Sequence, residues 1–339
     1  MQRTQLTLVL IVVALGCCAE PAPAEAPRSS PSLVTPTPVT SPVLGDKAGS
    51  RRGKPLLAFT GSAHDESDPN YTPNDGIDSE IWILYEDGSL ENVTNNDAME
   101  FEPSWSPDGR TLSYTCPPTN GEFIGTYDAD ICVIDLRSGA TRRITSRPGA
   151  EGSGEWSPNG RWIYFSWIRR RGVDVYRVRP TGGEWQRVTS GGPDEYSIAL
   201  SPSGDRIAFS TVSGDIHVMN SDGSGQERLT SGRAYADDSP TWSPDGDWLA
   251  FVRQANDETG DTQIYKVSSN GAEVVRVSDV LLGAKYPAWS PEGKHIAFAY
   301  GGNFDIVAVP ADGGSIERQT RGPREDLHPS WAPLSARRR

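Results

Sequence analysis

A tract of the form Trp-Ser-Pro-x-Gly recurs along this chain of 339 residues and restricts its fold more than any other feature. Leucine replaces the tryptophan in one copy, and the last copy is broken, so the first residues of the six copies are Trp105, Trp156, Leu200, Trp242, Trp289 and Trp331. Successive copies lie 42 to 51 residues apart. Self-similarity at such a period is typical of a solenoid or of a closed radial array.

Each repeat contains four segments of strand length, which we name A to D in chain order. Strand A ends at the tryptophan, and the third copy continues with strand B at Arg206-Ile-Ala-Phe209, strand C at Asp215-Ile-His-Val-Met219 and strand D at Glu227-Arg-Leu-Thr230. The segments are rich in residues that favour strands and are bounded by turn residues. Pro-x-Gly between A and B, and Asp-Gly between C and D, favour tight turns. Four antiparallel strands per unit of about 40–50 residues are typical of a β-propeller blade.

The count of strands predicts how the ring closes. Five units are complete between Trp105 and Thr320, whereas the sixth copy supplies only a strand A that ends at Trp331. Three strand-like segments stand before the first copy, at residues 55–59, 80–85 and 91–94. We therefore predict an all-β protein, a six-bladed β-propeller of four-stranded antiparallel blades over residues 53–334, followed by a basic tail at 335–339. The last blade combines one C-terminal strand with three N-terminal strands, which leaves no open sheet edge.

The Trp-Ser-Pro-Asp-Gly tract, the Ile-Ala-Phe strand and the Arg-Leu-Thr end of the unit resemble the repeat of the TolB family. The resemblance covers residues 53 to 334 and rests on six copies in register. It implies a six-bladed propeller and a non-catalytic binding or scaffold protein of the bacterial envelope, with a protein or peptide partner. Related propellers also accompany prolyl-oligopeptidase-type enzymes, so an enzyme or a sugar- or metal-binding protein with a lyase-like or hydrolase-like site at the channel mouth is the alternative.

The N-terminus predicts export. An apolar run from Leu6 to Leu15 is too short to cross a bilayer, which needs about 20 residues, and so indicates a signal peptide at residues 1–16. Because Ala14-Leu-Gly-Cys17 resembles a bacterial lipoprotein box, we favour lipidation of Cys17; ordinary cleavage near Ala19 is the alternative. Residues 17–52 are rich in Pro, Ser and Thr and predict a flexible tether. We expect a membrane-anchored protein of the cell envelope, periplasmic or outward-facing.

Charge and cysteine content narrow the partners. The net charge of −13 argues against nucleic acid and against anionic lipid headgroups, so we expect contact with a membrane through the lipid anchor only, and a monomer. Cys116 ends a strand B and Cys132 lies in the strand C of the same unit. Adjacent strands bring such cysteines within bridging distance, so a disulfide is the expected pairing and two buried thiols are the alternative.

The tight A–B and C–D turns share one end of a propeller, which we name the turn face; the B–C and D–A connections form the opposite loop face. The longer and more variable connections lie on the loop face, where we expect partner binding. Five residues before the start of each tract stand Glu100, Glu151, Glu195, Asp237, Ala284 and Asp326. The five carboxylates, named the acidic series, are candidates for a ring at the channel mouth that binds a cation, a basic peptide or an amine, although repetition in nearly every blade favours a role in the fold. The alternative is that each caps backbone groups at its D–A turn.

No other set of residues predicts catalysis. The chain has four histidines and no Gly-x-Ser-x-Gly elbow. His64, Asp326 and His328 are weak candidates for a transition-metal site because they meet on one predicted blade. The acidic B–C loop at 61–79 is a candidate Ca²⁺ site, although its spacing fits no EF-hand loop, and a solvated loop is the simpler interpretation. We expect no resident cofactor and no enzymatic activity.

Overall fold

A computed structural model of the protein describes residues 53–62, 79–96, 98–118, 129–169, 172–232, 234–257, 259–278, 283–302, 304–322 and 324–337, without the side chain of Ser153. The signal segment, Cys17, the tether and His64 lie outside these ranges. No helix in the described ranges is long and apolar enough to cross a membrane.

In the described ranges, twenty-four strands form six four-stranded antiparallel sheets. Blades 6, 1 and 2 contain β1 (Pro55–Ser62), β2 (Ser79–Tyr85), β3 (Leu90–Asn92), β4 (Phe101–Trp105), β5 (Thr111–Cys116), β6 (Asp130–Asp135), β7 (Thr141–Arg143), β8 (Ala150–Trp156), β9 (Ile163–Arg169), β10 (Gly172–Val178) and β11 (Gln186–Arg187). Blades 3 to 5 contain β12 (Tyr196–Leu200), β13 (Arg206–Ser210), β14 (Ile216–Asn220), β15 (Glu227–Arg228), β16 (Tyr235–Trp242), β17 (Trp248–Ala255), β18 (Thr262–Ser268), β19 (Val274–Arg276), β20 (Lys285–Trp289), β21 (His295–Tyr300), β22 (Asp305–Pro310) and β23 (Glu317–Arg318). The chain ends with β24 (Asp326–Trp331) and a short helix, α1 (Leu334–Arg337).

The predicted closure is confirmed, because blade 6 has the strand order β24-β1-β2-β3. In this blade Leu57 pairs with Trp331 and Ala58 with Ser330 across antiparallel strands. The C-terminal strand is therefore the innermost strand of a sheet whose other three strands come from the N-terminal part of the propeller. Closing the sheet in this way joins the first and last repeats without leaving an unpaired inner edge.

The repeated tract builds the A–B turn. In the first copy the Gly109 amide donates to the Ser106 carbonyl at 2.8 Å, and the Ser106 hydroxyl accepts from the Thr111 amide at 3.0 Å. The same hydroxyl donates to the Asp108 carboxylate at 2.8 Å. Gly109 has φ of +67°, a conformation that glycine adopts without a Cβ penalty. Serine and glycine thus recur in every complete copy because the turn uses the serine hydroxyl and the positive φ of the glycine.

The core lies between neighbouring blades. Each strand B except that of blade 1 contributes a phenylalanine that is less than 2 % exposed: Phe59, Phe165, Phe209, Phe251 and Phe298. Burial of such a side chain stabilises the fold by about 1.5–3 kcal/mol. The strand-A tryptophans join blades through hydrogen bonds, since the Trp105 indole donates to the Ser330 carbonyl at 3.1 Å and the Trp331 indole to the Ala288 carbonyl at 3.0 Å.

A disulfide joins Cys116 of β5 to Cys132 of β6, with their Cα atoms 5.9 Å apart. The two cysteines lie in adjacent antiparallel strands of blade 1. The disulfide expected from the sequence is therefore confirmed. The bond therefore ties the strands B and C across a loop that begins at the loop face.

Candidate functional site

The acidic series is buried in the fold. Its five carboxylate residues and the residue at the sixth position are 0–3 % exposed: Glu100, Glu151, Glu195, Asp237, Ala284 and Asp326. None of them lines the central cavity described below. The structure therefore places these carboxylates outside the cavity lining rather than in a ring at its mouth.

Most of the series is linked to the threonine that ends the preceding strand D. The Thr145 hydroxyl accepts from the Ile131 amide at 2.7 Å and donates to the Glu151 carboxylate at 3.1 Å. In the next junction the Thr189 hydroxyl donates to Glu195 at 3.2 Å. Each of these two carboxylates thereby joins the outer strand of one blade to the inner strand of the next, whereas Asp237 pairs with Arg253 of its own blade. The partners in these two junctions are side-chain hydroxyl groups, whereas the capping interpretation expects backbone N–H groups.

Burial raises the pKa of several of these carboxyl groups. Loss of hydration raises the pKa of Glu100 to about 7 and that of Glu195 to about 7, with hydrogen bonds from threonine opposing the shift. The same cause raises the pKa of Asp326 to about 6. A carboxyl group that is removed from water favours its neutral form, so these groups carry protons in the folded protein at pH values where the unfolded chain has lost them.

We expect the stability of the propeller to fall between pH 5 and pH 8. Because the pKa of Glu100 and Glu195 is raised, the native state binds more protons than the unfolded state in this range, and the unfolding free energy falls as pH rises through about 7, where both groups lose their protons. His328 opposes this, because burial lowers its pKa to about 3 and favours folding as pH rises towards 6.5. The carboxyl groups outnumber it, so urea unfolding at both pH values should show a net loss of about 2–4 kcal/mol.

The variant E100Q/E195Q provides the control, because glutamine keeps the shape of the side chain and cannot ionise. We expect the difference between pH 5 and pH 8 to shrink by about half in this variant. An unfolding free energy that is equal or higher at pH 8 in the parent protein would contradict the assignment of these buried carboxyl groups.

The inner strands enclose a cavity of about 390 Å³ along the propeller axis. Its wall is built mainly from residues one to three positions before the strand-A tryptophan or its equivalent, and it extends to Pro291 and Pro333 near the turn face. At the third position before the tract the backbone has positive φ in five blades: Glu102, Ser197, Ser239, Tyr286 and His328. Every strand A also has a register shift against its strand B at this point. Such bulges re-aim a side chain, and the five residues with positive φ all line the cavity.

Two carboxylates make the cavity wall acidic. Glu102 accepts a hydrogen bond from the Thr115 hydroxyl at 3.3 Å. Glu155 has no hydrogen bond or ion pair with any described residue, and burial together with the nearby charge of Glu102 raises its pKa to about 7. The charges of Glu102 and Asp238 also act on Tyr286, whose pKa burial raises. The cavity thus offers Glu155 as an acceptor without a partner in the described chain.

His328 lies in the cavity wall beside an aromatic neighbour. Its ring centre is 3.9 Å from that of Tyr286, and its Nδ1 is 3.3 Å from the Thr60 hydroxyl. Burial, with the charge of Lys285, lowers the pKa of His328 to about 3, so the ring is neutral at physiological pH. No group of three or more His, Cys, Asp or Glu side chains that would hold a metal ion occurs among the described residues. The proposed companion His64 and the candidate Ca²⁺ loop lie outside them.

Comparison with known proteins places the chain in a family. A model described as the TolB beta propeller domain matches residues 63–214 and 210–336. This chain belongs to the TolB β-propeller family. A Tol-Pal system protein TolB of Gluconobacter oxydans is 32 % identical over 203 residues, which cover 57 % of this chain and 42 % of that protein. An uncharacterized protein of Agrobacterium fabrum is 31 % identical over 188 residues, covering 52 % of this chain and 62 % of its own length.

Solved structures agree on the fold. The crystal structure of TolB from Acinetobacter baumannii has a TM-score of 0.67 at 21 % identity and covers 82 % of this chain and 67 % of that one. A lyase that acts on oligogalacturonate, solved with manganese, has a TM-score of 0.52 at 15 % identity, with 71 % of this chain and 70 % of the other covered. At these identities the likeness shows the propeller alone. The chain spans less than two thirds of the length of the TolB and Agrobacterium relatives that it matches.

Apart from His328, the residues of the cavity wall were missed by sequence reasoning, although a signal was present. Proline follows the axis-facing residue in four strands A, at Pro103, Pro240, Pro287 and Pro329. Proline inside a strand is confined to edges and bulges because it cannot donate to the ladder. The repeated proline therefore marked the position at which each inner strand bulges.

Proposed function

We propose that this protein is a non-catalytic binding or scaffold protein of the bacterial envelope, and that it binds a protein or peptide partner at the central channel. Family membership and a relative that is a Tol-Pal system protein support a role in binding. The described cavity extends to Pro291 and Pro333 near the turn face. We therefore place partner binding in the central channel as well as on the loop face.

The observation that carries the proposal is the acidic cavity with Glu155 in its wall. A volume of about 390 Å³ falls within the range of about 300–1,000 Å³ that is usual for ligand sites. The Glu155 carboxylate has no partner among the described residues and lies near Glu102. A lysine or arginine side chain, or a free N-terminal amine, would relieve both the unmet acceptor and the repulsion. We infer that the partner inserts a basic group from an extended segment.

Calorimetric titration with lysine-containing hexapeptides tests this function. We expect peptides with a free amine or lysine to bind and their acetylated forms to bind at least about tenfold more weakly, since one buried charge-assisted contact is lost. E155Q should weaken binding of the basic peptide to a similar degree, whereas E227Q, which changes an exposed outer-strand residue, should leave it unchanged. Equal binding of the basic and acetylated peptides would contradict a channel site for a basic group.

We also propose that the chain is exported and held on a membrane by a lipid on Cys17. The apolar segment and the cysteine that follows it support this localisation. In cells fed with labelled palmitate, C17S should abolish labelling and release the protein into the soluble fraction, while C18S should remain labelled. Labelling that persists in C17S, or a mature N-terminus at residue 20, would contradict the anchor.

A further inference from the structure

Positive charge is concentrated in one sector of this acidic protein. Residues 136–190 contain eleven arginines and four acidic residues, a net charge of +7, whereas the whole chain has a net charge of −13. The remainder of the chain therefore carries −20. Such an asymmetry creates a local field of opposite sign to the overall charge, which guides a charged partner to one place on the surface.

Four of these arginines lie on the turn face at the junction of blades 1 and 2, and we name them the arginine patch: Arg142, Arg161, Arg177 and Arg179. The Arg142 side chain reaches the Pro180 carbonyl of the neighbouring blade at 2.6 Å. Arg179 donates to the Arg161 carbonyl at 3.4 Å. These contacts link β7, the strand D of blade 1, with the A–B and C–D turns of blade 2, so the patch is continuous across the blade junction.

Trp162 organises the patch. The guanidinium carbons of Arg179 and Arg177 lie 3.8 Å and 4.6 Å from the centre of its ring. Stacking on an indole restrains a guanidinium without using up its hydrogen-bond donors, because the attraction acts through the ring face. Arg177 also donates to the Tyr164 hydroxyl at 2.9 Å. The patch therefore presents arginine forks that are partly ordered before any partner arrives.

The charges of the patch are unpaired in the described part of the chain. None of the four arginines forms an ion pair with a described residue. Glu184, the one carboxylate in residues 176–190, is exposed and does not pair with them. In contrast, Arg143 and Arg187, on the outer strands of the same two blades, pair with Asp130 and Asp174.

We propose that the arginine patch is a docking site for an acidic polypeptide segment of a partner protein. Guanidinium groups bind carboxylates through paired hydrogen bonds, and interfaces are enriched in arginine and tryptophan. A flat anionic bilayer is a poorer fit, because the other five blades present exposed acidic turn residues on the same face: Asp87, Asp108, Asp222, Asp245 and Glu292. A narrow segment touches blade 2 without meeting them. This site rests on the proposed binding function but not on the channel.

Fluorescence anisotropy with a labelled twelve-residue peptide of alternating glutamate and glycine tests the proposal. We expect the parent protein to bind this peptide, with affinity that falls as salt increases, and not to bind the glutamine–glycine equivalent. R142A/R161A/R179A should weaken binding by about tenfold or more, since three charge-assisted contacts are removed. Arg177 is left in place because it packs against Tyr164.

A matched variant removes the same charge elsewhere. R110A/R228A/K294A changes three exposed basic residues in blades 1, 3 and 5, and we expect less than about a twofold effect on acidic-peptide binding. Equal weakening by both triple variants, or no binding of the acidic peptide at low salt, would overturn the proposal. Patch-dependent binding to phosphatidylglycerol vesicles would also overturn it in favour of a membrane contact. E155Q should leave acidic-peptide binding unchanged, which separates failure of this site from failure of the channel.

Discussion

Removal of residues 326–339 is expected to abolish cooperative folding of the propeller. The deletion takes away β24, the inner strand of blade 6, and leaves β1 with an unpaired edge beside the buried Leu57 and Phe59. Replacement of a core tryptophan by alanine typically lowers the unfolding free energy by about 3–5 kcal/mol, and the deletion removes Trp331 together with the hydrogen bonds of β24. A domain stability of about 5–15 kcal/mol leaves little after such a loss.

Deletion of residues 335–339 is the matched control because it keeps the closing strand. It removes the hydrogen bond from the Ser335 hydroxyl to the Pro107 carbonyl, 2.7 Å long, the packing of the buried Ala336, and the ion pair between the largely buried Arg337 and Glu292. We expect a loss of about 1–2 kcal/mol and an intact cooperative transition. Thermal unfolding followed by circular dichroism distinguishes the two deletions. A truncation at residue 325 that melts cooperatively within a few degrees of the parent would contradict closure by β24.

D237A is expected to lower the unfolding free energy by about 3–5 kcal/mol, since it strands a charge inside blade 4. Asp237 and Arg253 stand opposite each other in β16 and β17, and two hydrogen bonds of 2.7 Å join the guanidinium to the carboxylate. Asp237 is 3 % exposed. The arginine also lies 4.8 Å from the ring centre of Tyr265, so it cannot turn to solvent without losing this contact.

Two companion variants show whether the loss comes from the stranded charge. In D237A/R253M both charges are replaced by apolar groups, and we expect the double variant to recover at least half of the lost stability in urea unfolding. R110A, which breaks the ion pair with Asp108 in which both side chains are more than half exposed, should lose less than about 1 kcal/mol. A loss below about 1 kcal/mol for D237A, or no recovery in the double variant, would contradict a buried pair that depends on mutual compensation.

The sequence allowed the blade count, the turns and the closure to be predicted because these depend on local chemistry. Ser106 and Gly109 form their turn with each other, and the same residues recur at each turn. The three N-terminal strands lack a strand A, and the broken copy that begins at Trp331 indicated where this strand lies in the sequence. When residues close in sequence form the same contact in every repeat, the contact produces a sequence motif that can be recognised.

The site was predicted less well because it depends on register between strands. The acidic series was aligned correctly, but the partners of its carboxylates could not be predicted. Thr145, which follows the strand D of the preceding blade, donates a hydrogen bond to Glu151. The bulge at Glu102 rotates the chain so that this residue, two positions later than Glu100, faces the axis. The arginine patch contains residues between positions 142 and 179, which come from two blades. Residues so far apart in sequence form no recognisable motif, so the patch could not be predicted.

The most direct test of the account is a cysteine cross-link between the two ends of the propeller. Ala58 of β1 and Ser330 of β24 are paired residues, so cysteines at both positions should lie within disulfide distance. In a chain that begins after Cys18, we predict an intramolecular disulfide between positions 58 and 330, identified by mass spectrometry of the digested monomer. In the control variant, which carries cysteines at 330 and at 92 on the outer strand, we expect both thiols to stay reduced. Absence of the 58–330 bond, or its occurrence only between two chains, would contradict a single-chain ring closed by its own termini.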